Sequence, residues 1–160
     1  MSDRYPAEIL IGGTIPQIIV AELIREIVAE GVSLEGYGEP AVTEEKLWQV
    51  FRQGAIVTLY DDQARYGRFD SLEVFLIRHQ VHFDRRSSAF YEYNAEVVFY
   101  RGGEEAIALP ADQDGHVMLR PLQVVGILDD SSLNNRAKLN AIRRLVAQPG
   151  TEPLTPIRFI

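Results

Sequence analysis

An α+β fold, with a mixed and mainly antiparallel sheet and about four helices packed on it, is predicted by three observations. The elements run strand, two helices, strand, helix, then a series of strands and a terminal helix. The stretch from His82 to Arg101 alternates polar and apolar residues in twos, the period of a strand with two different faces. Asp112-Gln113-Asp114-Gly115 then supplies a tight-turn signal, because Asp-Gly readily takes positive backbone angles.

Ala7 to Ile11 reads as the first strand. Thr14-Ile15-Pro16-Gln17 matches a helix start, with Thr14 as cap and Gln17 three residues on, and predicts a helix to Glu30. Val20, Leu23, Ile24, Ile27 and Val28 fall on one face of it, and Glu22, Glu26 and Glu30 form an acidic ridge at spacing four. Gly31 ends the helix. After a loop rich in glycine, Thr43 caps a second helix from Glu44 to Arg52, with Leu47, Val50 and Phe51 inward.

Ala55 to Tyr60 is an unbroken apolar run, as expected for an interior strand covered on both faces, and Asp61-Asp62 closes it. Asp70 with Glu73 marks the start of a helix from Ser71 to Gln80, with Leu72, Phe75, Leu76 and His79 on its buried side. His82 to Arg86, Phe90 to Tyr93 and Glu96 to Arg101 read as strands, as do Ala106 to Pro110 and His116 to Leu122 around the turn. The last helix begins near Ser131. Residues 1–148 form one domain on this reading. Residues 149–160, with Pro149, Gly150, Pro153 and Pro156, form an irregular tail whose apolar end can dock as an edge strand.

Charge is unevenly spread. Residues 1–63 carry 11 acids against 4 bases, which accounts for the whole net charge of −7, and the rest is near neutral. The long basic surface this leaves is Ser131 to Ala147, with Arg136, Lys138, Arg143 and Arg144 and no acid. Those four residues are the candidate interaction surface. Two acceptors fit them, nucleic-acid phosphates or the acidic ridge of the first helix in the same or a neighbouring chain. The overall negative charge favours the ridge.

Several chemistries are excluded or disfavoured. Without cysteine there is no disulfide, thiol nucleophile or thiolate metal site. No apolar run is long enough to span a bilayer, and the start lacks a signal-peptide pattern, so a cytoplasmic location without membrane contact is expected. His79, His82 and His116 lack metal-ligand spacing, and no metal site is predicted. Asp112-x-Asp114-Gly115 resembles the opening of a calcium loop but lacks the later glutamate. The Gly12-Gly13 turn lacks the lysine of a phosphate loop.

What remains for catalysis is Asp61 and Asp62, with His82 and Asp84 on a nearby strand, and Arg65 and Arg68 to hold an anionic ligand. Under that alternative the protein is a metal-assisted hydrolase or nucleotide-handling enzyme, and magnesium or manganese is its cofactor. The favoured reading is a small binding or regulatory protein without catalytic activity or cofactor, homo-oligomeric or bound to a protein partner. A nucleic-acid accessory role through the basic helix is the third.

Overall fold

The computed structural model describes residues 3–89 and 94–160 of the 160-residue chain. It is an α+β protein built on a five-stranded antiparallel sheet of order β3-β1-β4-β5-β6, where β1 is Arg4–Gly12, β3 Val57–Arg65, β4 His82–Ser87, β5 Glu96–Tyr100 and β6 Ile107–Pro110. A second, two-stranded parallel sheet joins β2, Thr14–Ile15, to β7, Arg158–Phe159, in the C-terminal tail. The strand expected over Phe90 to Tyr93 lies outside the described residues.

Alternation along β1 sorts the sheet into two faces. Tyr5, Ala7, Ile9 and Ile11 are buried, whereas Pro6, Glu8 and Leu10 are half-buried. The pairing carries that sorting across the sheet: Ile9 faces Leu59 and Arg85, and Ile11 faces Val57 and Phe83. Three helices cover this face, α1 (Val20–Glu30), α2 (Glu44–Arg52) and α3 (Asp70–Arg78), with α1 lying against both others. Leu23, Ile24 and Ile27 of α1, Leu47 and Phe51 of α2, and Leu72, Phe75 and Leu76 of α3 complete one continuous core. Each such side chain contributes roughly 1.5–3 kcal/mol on leaving water.

The helix ends follow local chemistry. Gly31, at φ 73°, ends α1 in the left-handed conformation. Thr43 caps α2 by accepting from the amide of Lys46. At the start of α3 the Glu73 carboxylate accepts from the amide of Phe69. The capping expected at Thr14 does not form. Thr14 is drawn into β2 by the C-terminal strand, a 3-10 turn follows over Gln17–Ile19, and α1 begins only at Val20 without a side-chain cap. Val28, expected inward, is exposed.

Three other expectations give way to tertiary context. The run Ala55 to Tyr60 is not an interior strand, because β3 is an edge of the sheet and β1 and β4 hold the centre. Its apolar residues on the second face are covered locally instead. Ser33 exchanges two backbone hydrogen bonds with Tyr60, closing part of the free edge, and Tyr37 packs edge-on against the Tyr60 ring at 5.2 Å. Nor does β3 stop at Asp61-Asp62; it continues to Arg65. Residues 116–122 form no strand beyond a single bridge between Ala111 and Val117, because Pro121 sits at the first turn of a helix, α4 (Pro121–Asp129). The last helix, α5, runs Asn135–Val146 with Asn134 as its cap.

Five α-helices are present among the described residues, and α4 and α5 have no buried residue. The tail crosses the other end of the sheet at Gly12 and Gly13, where Gly13 donates to Thr155 and accepts from Arg158. A Cβ at Gly12 would lie 2.4 Å from the Thr155 carbonyl, so only glycine admits the crossing.

Candidate functional site

The enzyme alternative needs Asp61, Asp62, His82 and Asp84 around one cleft, and strand geometry separates them. Asp61 pairs with Ala7, on the helix-covered face at the β3 edge. Between there and Tyr5, which pairs with Ala64, β3 spends one residue more than β1, so Asp62 and Gln63 sit in a bulge. The Asp61 carboxylate accepts from the amide of Gln63 at 2.8 Å and closes that bulge. His82 and Asp84 pair with Gly12 and Leu10, on the opposite face and two strands away. Arg65 lies over the Tyr66 ring at 5.6 Å. Arg68 lines a cavity of about 560 Å³ with Tyr66, Glu96 and Arg120, away from both pairs of acids.

On the second face, the partner of Asp84 is an arginine that the sequence reading did not single out. Arg101 meets the Asp84 carboxylate at 2.7 Å and donates to the carbonyls of Phe83, Tyr100 and Glu152. Its Nε thus ties the tail to the sheet through Glu152. Burial raises the Asp84 pKa, which the hydrogen bond and charge of Arg101 oppose. Burial and the nearby Arg101 charge lower that of His82. Lowered in this way, His82 is neutral at neutral pH.

A second missed residue lies beneath the sheet. Arg85 is 3% exposed, bonded through Nε to Glu73 of α3 at 2.9 Å and through Nη2 to Glu96 of β5 at 2.8 Å, and it donates to the Gly67 carbonyl. Burial raises the Glu73 pKa, while Arg85 and the Phe69 amide oppose the rise. This network joins a helix, a turn and two strands. The signal for it was in the sequence: two-residue alternation that puts His82, Asp84 and Arg86 on one face must put Arg85 on the other, beside Phe83. A buried charge requires an acid.

Asp112, Asp114 and His116 are the one group of potential metal donors among the described residues, with ligand atoms within 4.8 Å of one another. Their bonds close the turn instead. Asp112 accepts from the amides of Asp114 and His116 and from the His116 ring at 3.0 Å, and those hydrogen bonds, first the His116 amide, lower its pKa.

The basic helix is the exception to this pattern of residues consumed by structure. Lys138 donates to the carbonyl of Leu128 and so ties α5 to α4. Arg136, Arg143 and Arg144 make no ion pair among the described residues. Around α5 they interleave with apolar residues: Arg136, Leu139, Arg143 and Val146 fall within an arc of about 80°. Leu139 is 50% and Val146 67% exposed, and on α4 Leu122 is 82%, Val125 47% and Leu128 51% exposed. The α4–α5 hairpin therefore presents a mixed apolar and cationic surface that its own chain leaves uncovered.

No family model matches the chain, and neither a curated protein nor a solved structure matches it. Among the described residues no helix is long and apolar enough to cross a membrane.

Proposed function

We propose that the protein is a cytoplasmic binding protein without catalytic activity that self-associates through the α4–α5 hairpin. The observation carrying this reading is that two helices of ordinary length, 9 and 12 residues, have no fully buried residue and leave Leu122, Leu128, Leu139 and Val146 at least half exposed. Packing of an apolar face is what normally sustains short helices in water, and the isolated hairpin leaves several large aliphatic groups hydrated. A surface of this composition, aliphatic residues with arginine and few acids, is that of a protein contact.

The enzyme alternative has weaker support, since its four carboxylate and imidazole candidates divide between two faces. The nucleic-acid alternative has the arginines but also a chain of net charge −7, which repels a polyanion.

Light scattering and sedimentation of the full chain test the proposal. The expected result is a mass above the 18.1 kDa of one chain, falling to that value in a Leu122→Glu, Leu139→Glu double variant that keeps its melting temperature. A parent that stays monomeric to millimolar concentration overturns self-association. Salt-sensitive binding of duplex DNA by that monomer transfers the hairpin to the nucleic-acid reading.

A further inference from the structure

Self-association through a cationic surface raises the question of what it docks on. A symmetric contact between two hairpins would bring Arg136, Arg143 and Arg144 of one copy against the same residues of another, and like charges facing each other oppose assembly. The counter-surface must then be anionic. Within one chain the basic helix does not reach the acidic ridge, as no ion pair among the described residues joins them.

An anionic surface of matching character lies where α1 ends and α3 begins. Glu30 accepts from the amide of Leu72 at 3.1 Å, which fixes its carboxylate one residue pair from Asp70 at the start of α3. Asp61 approaches from the β3 edge and Glu26 from the preceding turn of α1, and all three raise the Glu30 pKa after burial does. None of the four carboxylates forms an ion pair among the described residues. Val74, four residues beyond Asp70 on the same side of α3, is 56% exposed. An exposed aliphatic residue thus lies one helical turn from a carboxylate of the patch, as aliphatic residues on α5 lie beside guanidiniums.

Resting on the self-association proposed above, we infer that the hairpin of one copy docks on the patch formed by Glu26, Glu30, Asp61 and Asp70 of a second copy. The contact is head-to-tail, joining two different surfaces, and each copy carries one of each. It also gives a role to the lopsided charge: the acidic N-terminal third of one molecule neutralises the basic helix of the next.

The experiment is a charge exchange read by sedimentation velocity. Arg136→Glu with Arg143→Glu cancels the positive charge of the hairpin and leaves the patch intact. Glu26→Lys with Asp70→Lys cancels the negative charge of the patch and leaves the hairpin intact. Each is expected to weaken self-association by at least about tenfold, and an equimolar mixture to restore it, because the unaltered hairpin of the second variant then meets the unaltered patch of the first. Should Asp70→Lys unsettle α3, Glu22→Lys with Glu26→Lys on the ridge of α1 replaces it, with melting curves to show the fold intact. Failure of the mixture to recover, or a patch variant that associates like the parent, overturns the acidic patch as the docking surface. If association is lost in the Leu122→Glu, Leu139→Glu variant yet indifferent to the patch, only this inference falls. A parent that never associates removes both.

Discussion

The sheet with its three helices and the α4–α5 hairpin are made from the same kinds of residue and put them to opposite uses. In the first, every large apolar side chain of α1 that faces the sheet is hidden, and even an arginine, Arg85, is buried between two carboxylates. In the second, Leu122 and Val146 stand in water and three arginines make no ion pair among the described residues. Amphipathic pattern alone does not separate the two cases. What separates them is whether the chain folds a complementary surface onto them, and for the hairpin's arginines no ion pair among the described residues does so.

The contrast predicts how unevenly mutations will act, and the largest effect is expected at Arg85. Its removal in Arg85→Ala leaves the Glu73 carboxylate buried without its ion-pair partner, at a cost of about 3–5 kcal/mol in urea unfolding. Arg143→Ala in the hairpin should stay within about 0.5 kcal/mol of the parent. Equal losses at the two arginines would show that α5 is held by contacts as firm as those of the core. A gap of several kcal/mol supports the division.

Aliphatic truncations sharpen the same contrast without charge. Leu23→Ala opens a cavity between α1 and the sheet and should cost about 2–5 kcal/mol. Leu122→Ala removes a group already in water and should cost less than about 0.5 kcal/mol in the dissociated chain. At concentrations where the protein self-associates, Leu122→Ala should weaken the assembly even though it leaves the monomer unaffected. Denaturation midpoints measured at two protein concentrations separate these effects.

Much of the covered region was legible in the sequence, and the hairpin much less so. Period-two alternation located β4 and β5, and Thr43, Gly31 and Glu73 marked helix ends through hydrogen bonds that any isolated segment can make. Arg85 was legible too, had the alternation been followed to its inward face. The place of β3 in the sheet was not, because an edge strand covered by Ser33 and Tyr37 from a distant loop has the composition of a buried one. The split of Asp61 from His82 was equally hidden, since it depends on which strands lie between them. At α4 the sequence Val117-Met118-Leu119 carried strand propensity, and Pro121 decided for a helix by blocking further pairing.

Titration of Glu30 offers a smaller effect within the covered region. Burial, reinforced by Glu26, Asp61 and Asp70, raises its pKa in the folded chain. Its ionisation then costs folding stability, a cost absent below the ordinary glutamate range of about 4.3 and complete once pH passes the raised folded value. Glu30→Gln keeps an oxygen for the Leu72 amide and abolishes the charge. The variant should exceed the parent in stability at pH 7, with the advantage vanishing as pH falls below the glutamate range. An advantage that persists in acid would point to packing instead of charge.

The smallest effect tests whether the hairpin melts on its own. Asn134 accepts from the amide of Ala137 at 2.9 Å and is the side-chain cap of α5. Asn134→Ala should therefore cost about 1 kcal/mol of helix stability. Where a helix is packed on a core, such a loss lowers the global midpoint, because the helix cannot leave without breaking the rest. Here α5 has no fully buried residue, so the cost should appear as faster amide exchange confined to residues 135–146, with the exchange of Ile9, Leu23 and Leu59 unchanged. Adding protein until it assembles should slow exchange in α5 again, since a second copy would then cover the face the chain leaves bare. Exchange in α5 that is already as slow as in β1 in the dilute monomer would mean that the helix is anchored within its own chain, and the contrast between the two regions would be lost.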